Sequence, residues 1–261
     1  MAKFFTDFSE FSIGSGIPDF FTSRWASAAS DLEYPATGIE GDTFTAYPPA
    51  SDSTVYMLPN QLRLRAKNSY QRVGLEITAV AGSGSDEINV GLLNYETSST
   101  TIANIILRGS GTTESTRSGY TLFSRFNSNN FEIRKFTSGS VVALARGTLP
   151  ARVGRVAHRL RFSVVEQPDD TLLIRAWLWL DGEAEPATPF FSVTDGTPLP
   201  IGWAGIGQLS SSDQSVYYGY VGVGTDGDSA PTAAPIGAET PINPSITDLL
   251  ATSARLNWEQ G

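Results

Sequence analysis

Residues 158–180 read His158-Arg-Leu-Arg-Phe-Ser-Val-Val-Glu-Gln-Pro-Asp-Asp-Thr-Leu-Leu-Ile-Arg-Ala-Trp-Leu-Trp-Leu180. Two runs alternate apolar with polar or charged positions, and a polar cluster centred on Pro168 lies between them. Alternation with a period of two marks a strand that lays one face on a core. Pro168, Asp169 and Asp170 have turn chemistry, so they predict a three-residue hairpin loop. That loop sets the register: Val164 faces Ile174, Phe162 faces Ala176, and Leu160 faces Leu178, which gathers the apolar side chains on one side. Residues directly opposite share a face, so the other side carries Ser163 with Arg175, Arg161 with Trp177, and Arg159 with Trp179. One face of the hairpin is oily, and the other is cationic and aromatic.

The same texture extends outward. Short alternating or apolar runs occupy residues 61–67, 70–80, 88–95, 101–107, 120–126, 131–136, 141–145, 190–193 and 216–224, separated by Gly, Ser, Asn, Asp and Pro clusters. That spacing is the signature of a β sandwich or barrel. In 61–67, Leu62, Leu64 and Ala66 alternate with Arg63, Arg65 and Lys67, which predicts a strand with one face on a core and one in water. Phe136-Thr-Ser-Gly-Ser-Val141 places a Gly-containing turn between two further strands. Residues 22–32 are the best candidate for a helical turn or two.

Composition agrees with a large β core. Hydrophobic residues make up 40% of the 261 and charged residues only 17%, while 25 Gly and 15 Pro supply turns. The net charge of −9 would repel a phosphate backbone, so nucleic acid is not an expected partner. With no cysteine there is no disulfide, thiolate metal site or thiol nucleophile. The first 25 residues carry Asp7, Glu10 and Asp19 and lack a continuous apolar stretch, so no signal peptide is expected. No apolar run reaches membrane-spanning length, and no membrane partner is expected.

After Gly227 the texture changes. Residues 229–244 hold four prolines and read as an extended linker, giving a sandwich domain over 1–228. Residues 245–261 cannot bury a core of their own.

Catalytic and metal-binding patterns are weak. Asp181-Gly-Glu183-Ala-Glu185-Pro186 is the densest carboxylate cluster, but its Gly and Pro mark a turn, where the side chains are expected to be solvated. His158 is the single histidine and falls on the apolar face of the hairpin, where it is expected to pack rather than to catalyse. Glu76 is expected to be a solvated strand residue. Asp226 and Asp228 with Asp195 or Asp213 form an incomplete calcium set, and ordinary turn roles are the expectation. Tyr217, Tyr218, Tyr220 and Trp203 are expected in the core or on sheet surfaces. No catalytic residue, metal ligand or cofactor is assigned. The sharpest candidate is the hairpin face bearing Arg159, Arg161, Arg175, Trp177 and Trp179. Sugars stack their C–H faces on aromatic rings while charged groups bond the hydroxyls, so this face is a candidate glycan site. The alternative is internal: the guanidiniums lie over the indoles as cation–π pairs beneath another segment.

Asp7-Phe-Ser-Glu-Phe-Ser-Ile-Gly-Ser-Gly-Ile-Pro-Asp-Phe-Phe-Thr-Ser-Arg-Trp25 resembles the entry segment of concanavalin A-like (laminin-G-like) jelly rolls in phage virion proteins. Ser118-Gly-Tyr120, Trp179 to Pro186, Gly202 to Gly207 and Gly222 to Asp228 are similar to stretches of the same group, in the same order. The resemblance covers residues 4–228. It implies an all-β, two-sheet antiparallel jelly-roll sandwich in a virion tail, appendage or capsid-surface protein that contacts host-surface glycans. Residues 245–258 resemble the opening of a fibronectin type III domain. They are either such a start or a strand arm, and 229–261 are the expected contact with other virion proteins in an oligomeric assembly. Retaining glycosidases on this fold carry paired Glu residues on one strand, about 5 Å apart, and this chain has no such run. The expectation is therefore a non-enzymatic virion protein. The alternatives are a purely architectural decoration or assembly subunit and, last, a polysaccharide-degrading glycosidase using Glu183 or Glu185.

Overall fold

The computed structural model describes residues 3–8, 21–24, 62–66, 71–77, 86–93, 102–113, 115–125, 130–148, 157–210 and 214–233. These contain fourteen strands: β1 (Lys3–Thr6), β2 (Phe21–Arg24), β3 (Leu62–Ala66), β4 (Gln71–Ile77), β5 (Asp86–Leu93), β6 (Ile102–Ser110), β7 (Ser118–Arg125), β8 (Asn130–Thr137), β9 (Ser140–Thr148), β10 (Ala157–Glu166), β11 (Leu172–Leu180), β12 (Phe191–Asp195), β13 (Trp203–Ser210) and β14 (Gln214–Gly224). They form two seven-stranded sheets with antiparallel pairings throughout. Sheet A runs β1-β14-β5-β10-β11-β12, with β3 also paired to β14, and sheet B runs β2-β4-β13-β6-β7-β8-β9. The fold is an all-β, two-sheet antiparallel jelly-roll sandwich.

The β10–β11 hairpin adopts the register that its sequence dictates, with Val164 opposite Ile174, Phe162 opposite Ala176 and Leu160 opposite Leu178. Gln167 and Thr171 close the loop: the Gln167 amide donates to the Thr171 carbonyl at 2.9 Å, and Asp170 takes the left-handed conformation at φ 59°. The other expected hairpin, β8–β9, turns on Ser138 and Gly139, whose φ values of 47° and 81° match the twist of a two-residue type I′ turn.

Leu160, Phe162 and Ile174 are fully buried, and Leu178 packs at the margin of the same core. They face Ile105, Leu122, Ile133 and Ile206 from sheet B. Each side chain of this size gains about 1.5–3 kcal/mol by leaving water, which is what holds the two layers together. His158 is buried on this inner side, as its position in the alternation requires.

Three strands depart from the sequence expectation, the first being β1 (Lys3–Thr6), which lies in none of the expected runs. Phe21–Arg24, at the start of the stretch expected to hold a helical turn, is strand β2 and pairs with β4 from Phe21–Ile77 to Arg24–Gly74; residues 25–32 lie outside the described set. Trp203–Ser210 forms β13, which pairs with both β4 and β6 although Gly205 and Gly207 interrupt its apolar run. The entry segment beyond Phe8, apart from β2, and residues 234–261 also lie outside the described residues, and with them the fibronectin-like stretch.

A register shift in β14 redirects its tyrosines. Tyr218 pairs with Leu92 and Tyr220 with the next residue, Gly91, so Gly219 is an extra residue on the β14 side. Side chains two apart would otherwise share a face. Here Tyr218 enters the core, where its hydroxyl donates to the Gly207 carbonyl at 2.7 Å, while Tyr220 turns to the outer face and donates to Asn89 Oδ1 at 2.8 Å.

Candidate functional site

The outer face of sheet A is laid out in rows by its registers. One row is Tyr220, Gly91, Arg159 and Trp179; the next is Gly222, Asn89, Arg161 and Trp177; the third is Gly224, Glu87, Ser163, Arg175 and Ser192. All five residues singled out in the sequence therefore sit together on one face. Gly91 places no side chain between Arg159 and Tyr220, and the Arg159 guanidinium lies 5.4 Å from the Tyr220 ring centroid. Trp177 lies between two guanidiniums, Arg175 at 5.4 Å and Arg161 at 5.9 Å from its ring.

This face is not open. Trp177 and Trp179 are only 9% and 7% exposed, and the cation–π packing of the internal alternative is present. Two segments account for part of the cover. The β11–β12 loop brings Asp181 to Arg159, Oδ1 to Nε at 2.6 Å, and Glu185 to Arg161, Oε2 to Nη2 at 2.7 Å. The stretch after β14 reverses at Asp226 and Gly227, with the Asp228 amide donating to the Thr225 carbonyl at 3.1 Å, and lies back along the sheet as a strap. A side chain at Gly224 or Gly222 would collide with the strap backbone, since a Cβ there would stand 2.3 Å from the Asp228 carbonyl oxygen or 2.1 Å from that of Pro231. The Ala230 amide then donates to Glu87 Oε1 at 2.9 Å. Residues 229–233, expected to begin a linker, thus begin on the sandwich itself.

Glu185 corrects the expectation that the carboxylates of this turn are solvated. The turn is present, with the Glu183 amide donating to the Leu180 carbonyl at 3.1 Å and Glu183 exposed, but Asp181 is almost wholly buried and Glu185 is partly buried. Burial lifts the Glu185 carboxyl above its ordinary range, with Arg161 opposing and Glu87 adding to the rise.

Asn89 Nδ2, Arg159 Nη2, Arg161 Nε, Ser163 Oγ and Arg175 Nε are buried without a hydrogen-bond partner. Arg161 Nε is 3.6 Å from Glu87 Oε1, an ion pair too long to be a hydrogen bond. Four of the five atoms are N–H donors, and the Ser163 hydroxyl can donate. Among the described residues no carboxylate pairs with Arg175, whose guanidinium makes a cation–π contact with the Trp177 ring. Unmet buried donors each cost about 1–3 kcal/mol, and a cluster of them on one face calls for acceptors from water or a ligand.

The other candidates dissolve into structure. Asp195 accepts from the Tyr120 hydroxyl at 2.6 Å, from Lys135 Nζ at 2.7 Å and from the Thr197 amide at 3.0 Å. It belongs to β12, four strand positions or about 19 Å from β14 at the usual spacing, so it does not join Asp226 and Asp228. Asp213 lies outside the described residues, and Glu76, half-buried on β4, stands opposite Gly205 on one side and Thr22 on the other. Among the described residues no group of three or more metal-ligating side chains comes together.

The sequence matches no protein-family model and no curated protein. Among solved structures, a protein of unknown function from Shewanella oneidensis MR-1 is similar over 85% of each chain at 14% identity, with a TM-score of 0.52. The exoplasmic/lumenal domain of VIP36, in a form bound to calcium and Man3GlcNAc, is 11% identical over 69% of this chain and 83% of its own, with a TM-score of 0.48. The Emp46p carbohydrate recognition domain is 10% identical over 67% and 86%, with a TM-score of 0.47.

Proposed function

We propose that this protein is a non-enzymatic carbohydrate-binding sandwich of a phage virion, and that it holds host-surface saccharide at the outer face of sheet A. The observation that carries the reading is the clustering of unmet donors on Asn89, Arg159, Arg161, Ser163 and Arg175 around the indole of Trp177. A saccharide supplies hydroxyl and ring oxygens to such donors, and sites of this kind combine a few convergent polar groups with aromatic walls. Arg161 and Arg175 are half-buried, and the Trp177 indole packs against both of their guanidiniums. A purely binding role fits the carboxylates, since Asp181 and Glu185 are engaged by Arg159 and Arg161. Placement on a virion rests on the likeness of residues 7–25 to the entry segments of phage sandwiches.

Glycan-array binding by the purified protein tests the site. Arg175→Ala should weaken binding by about tenfold or more, the worth of one hydrogen bond to a charged group. Trp177→Phe, which keeps the fold but loosens the bed of both guanidiniums, should weaken it less. Undiminished binding in both variants removes this face as the site. The virion role is tested separately: deletion of residues 229–261 should stop incorporation into particles, and normal incorporation would count against these residues as the assembly contact.

A further inference from the structure

We infer that the saccharide taken by this face carries a carboxylate, and that Glu185 occupies the place of that carboxylate in the unliganded protein. The inference rests on the carbohydrate-binding reading and names its substrate class. Three guanidiniums line the face, and the ion pairs do not treat them alike. Arg159 is committed to Asp181, itself almost wholly buried, at 2.6 Å. Arg175 has no carboxylate among the described residues. Arg161 is held by Glu185 at 2.7 Å and less closely by Glu87 at 3.6 Å.

The two glutamates differ in what else they do. Glu87 rises from the floor of the sheet on β5 and also receives the Ala230 amide, so it anchors the strap. Glu185 arrives from a loop, its side chain is 28% exposed, and the Arg161 guanidinium is the contact it makes. A carboxylate swung in from a loop onto a cation, beside a second cation lacking any and a set of unmet donors, is an internal ligand that an external one can replace. A uronate would bring its carboxylate to Arg161 and Arg175, and its hydroxyls to Ser163 Oγ and Asn89 Nδ2, which are 2% and 0% exposed by residue and lack partners. Those neutral donors beside an indole favour a sugar over an acidic peptide. The overall charge of −9 opposes a polyanion at long range, but that field is screened beyond about 8 Å at physiological salt, leaving close contacts to decide.

The test measures binding of polygalacturonate, dextran and poly-L-glutamate to the full chain at physiological ionic strength. Wild type should prefer polygalacturonate to dextran. Glu185→Ala should raise affinity for polygalacturonate by about tenfold, since the competing carboxylate is gone, and leave dextran unchanged. Arg175→Gln should erase the preference. Unchanged or weaker polygalacturonate binding in Glu185→Ala overturns the inference, as does equal binding of poly-L-glutamate. Binding of dextran with no preference for the acid leaves the carbohydrate-binding reading standing and removes the acidic one. Binding of neither polysaccharide by any variant removes both.

Discussion

Tyr120 on β7 and Asp195 on β12 tie the two sheets through one hydrogen bond, and the tie is reinforced on every side. Lys135 also reaches the Thr197 hydroxyl at 2.8 Å, the Leu199 amide donates to the Tyr120 hydroxyl at 2.9 Å, and Arg108 runs from the Leu199 carbonyl at 2.7 Å to Glu166 at 2.8 Å. Burial alone would raise the Asp195 carboxyl, but hydrogen bonds from Lys135, Tyr120 and Thr197 with the Lys135 charge outweigh it and hold it below the ordinary carboxylate range. A carboxylate depressed on folding stabilises the native state above its unfolded value, about pH 4, and that stabilisation is lost as pH falls through the folded value. Asp195→Asn should therefore cost about 3 kcal/mol in urea unfolding at pH 7 and flatten the stability curve below about pH 4. An unaltered acid limb would show that other carboxylates set it. Little of this cluster is legible in the sequence, because Asp195 and Tyr120 stand 75 residues apart and no local pattern links them.

The alternation of single side chains is enough to set the β10–β11 register residue by residue, because a slip of one would turn one strand over and put Arg161 or Arg175 in the core. The same logic misses β13, where Gly205 and Gly207 occupy the outward positions and leave no polar half to the alternation. Nor does alternation reveal the extra residue in β14 that turns Tyr218 and Tyr220 to opposite faces. The five residues of the candidate site are legible as a face, but the cover over them is not: the strap and the β11–β12 loop reach it by tertiary docking, which periodicity does not encode. The strap yields a prediction of its own. Gly222→Ala would drive a methyl group into the Pro231 carbonyl, so the strap should lift and exchange of the Ala230 amide should quicken by about tenfold, the loss of one hydrogen bond's protection. Unchanged protection would mean that the sheet gives way instead.

The described core is closed by residue 224, and residues 225–233 rest on its outside. A chain ending at Asp228 should keep its cooperative unfolding and lose about 1 kcal/mol with the Ala230 contact, lowering the thermal midpoint by about 2–4 °C. A non-cooperative melt of that shortened chain would show that the later residues are part of the core. Strand β14 is the last of the described strands along the chain. It borders β5 along one side and both β1 and β3 along the other, so the first and last strands described are neighbours. A nascent chain emerging from the ribosome therefore exposes the edges of β1, β3 and β5 until β14 has been made, and only then can sheet A join. During synthesis this places the greatest hazard of misassociation before the final strand appears, when three unpaired edges wait for a single partner.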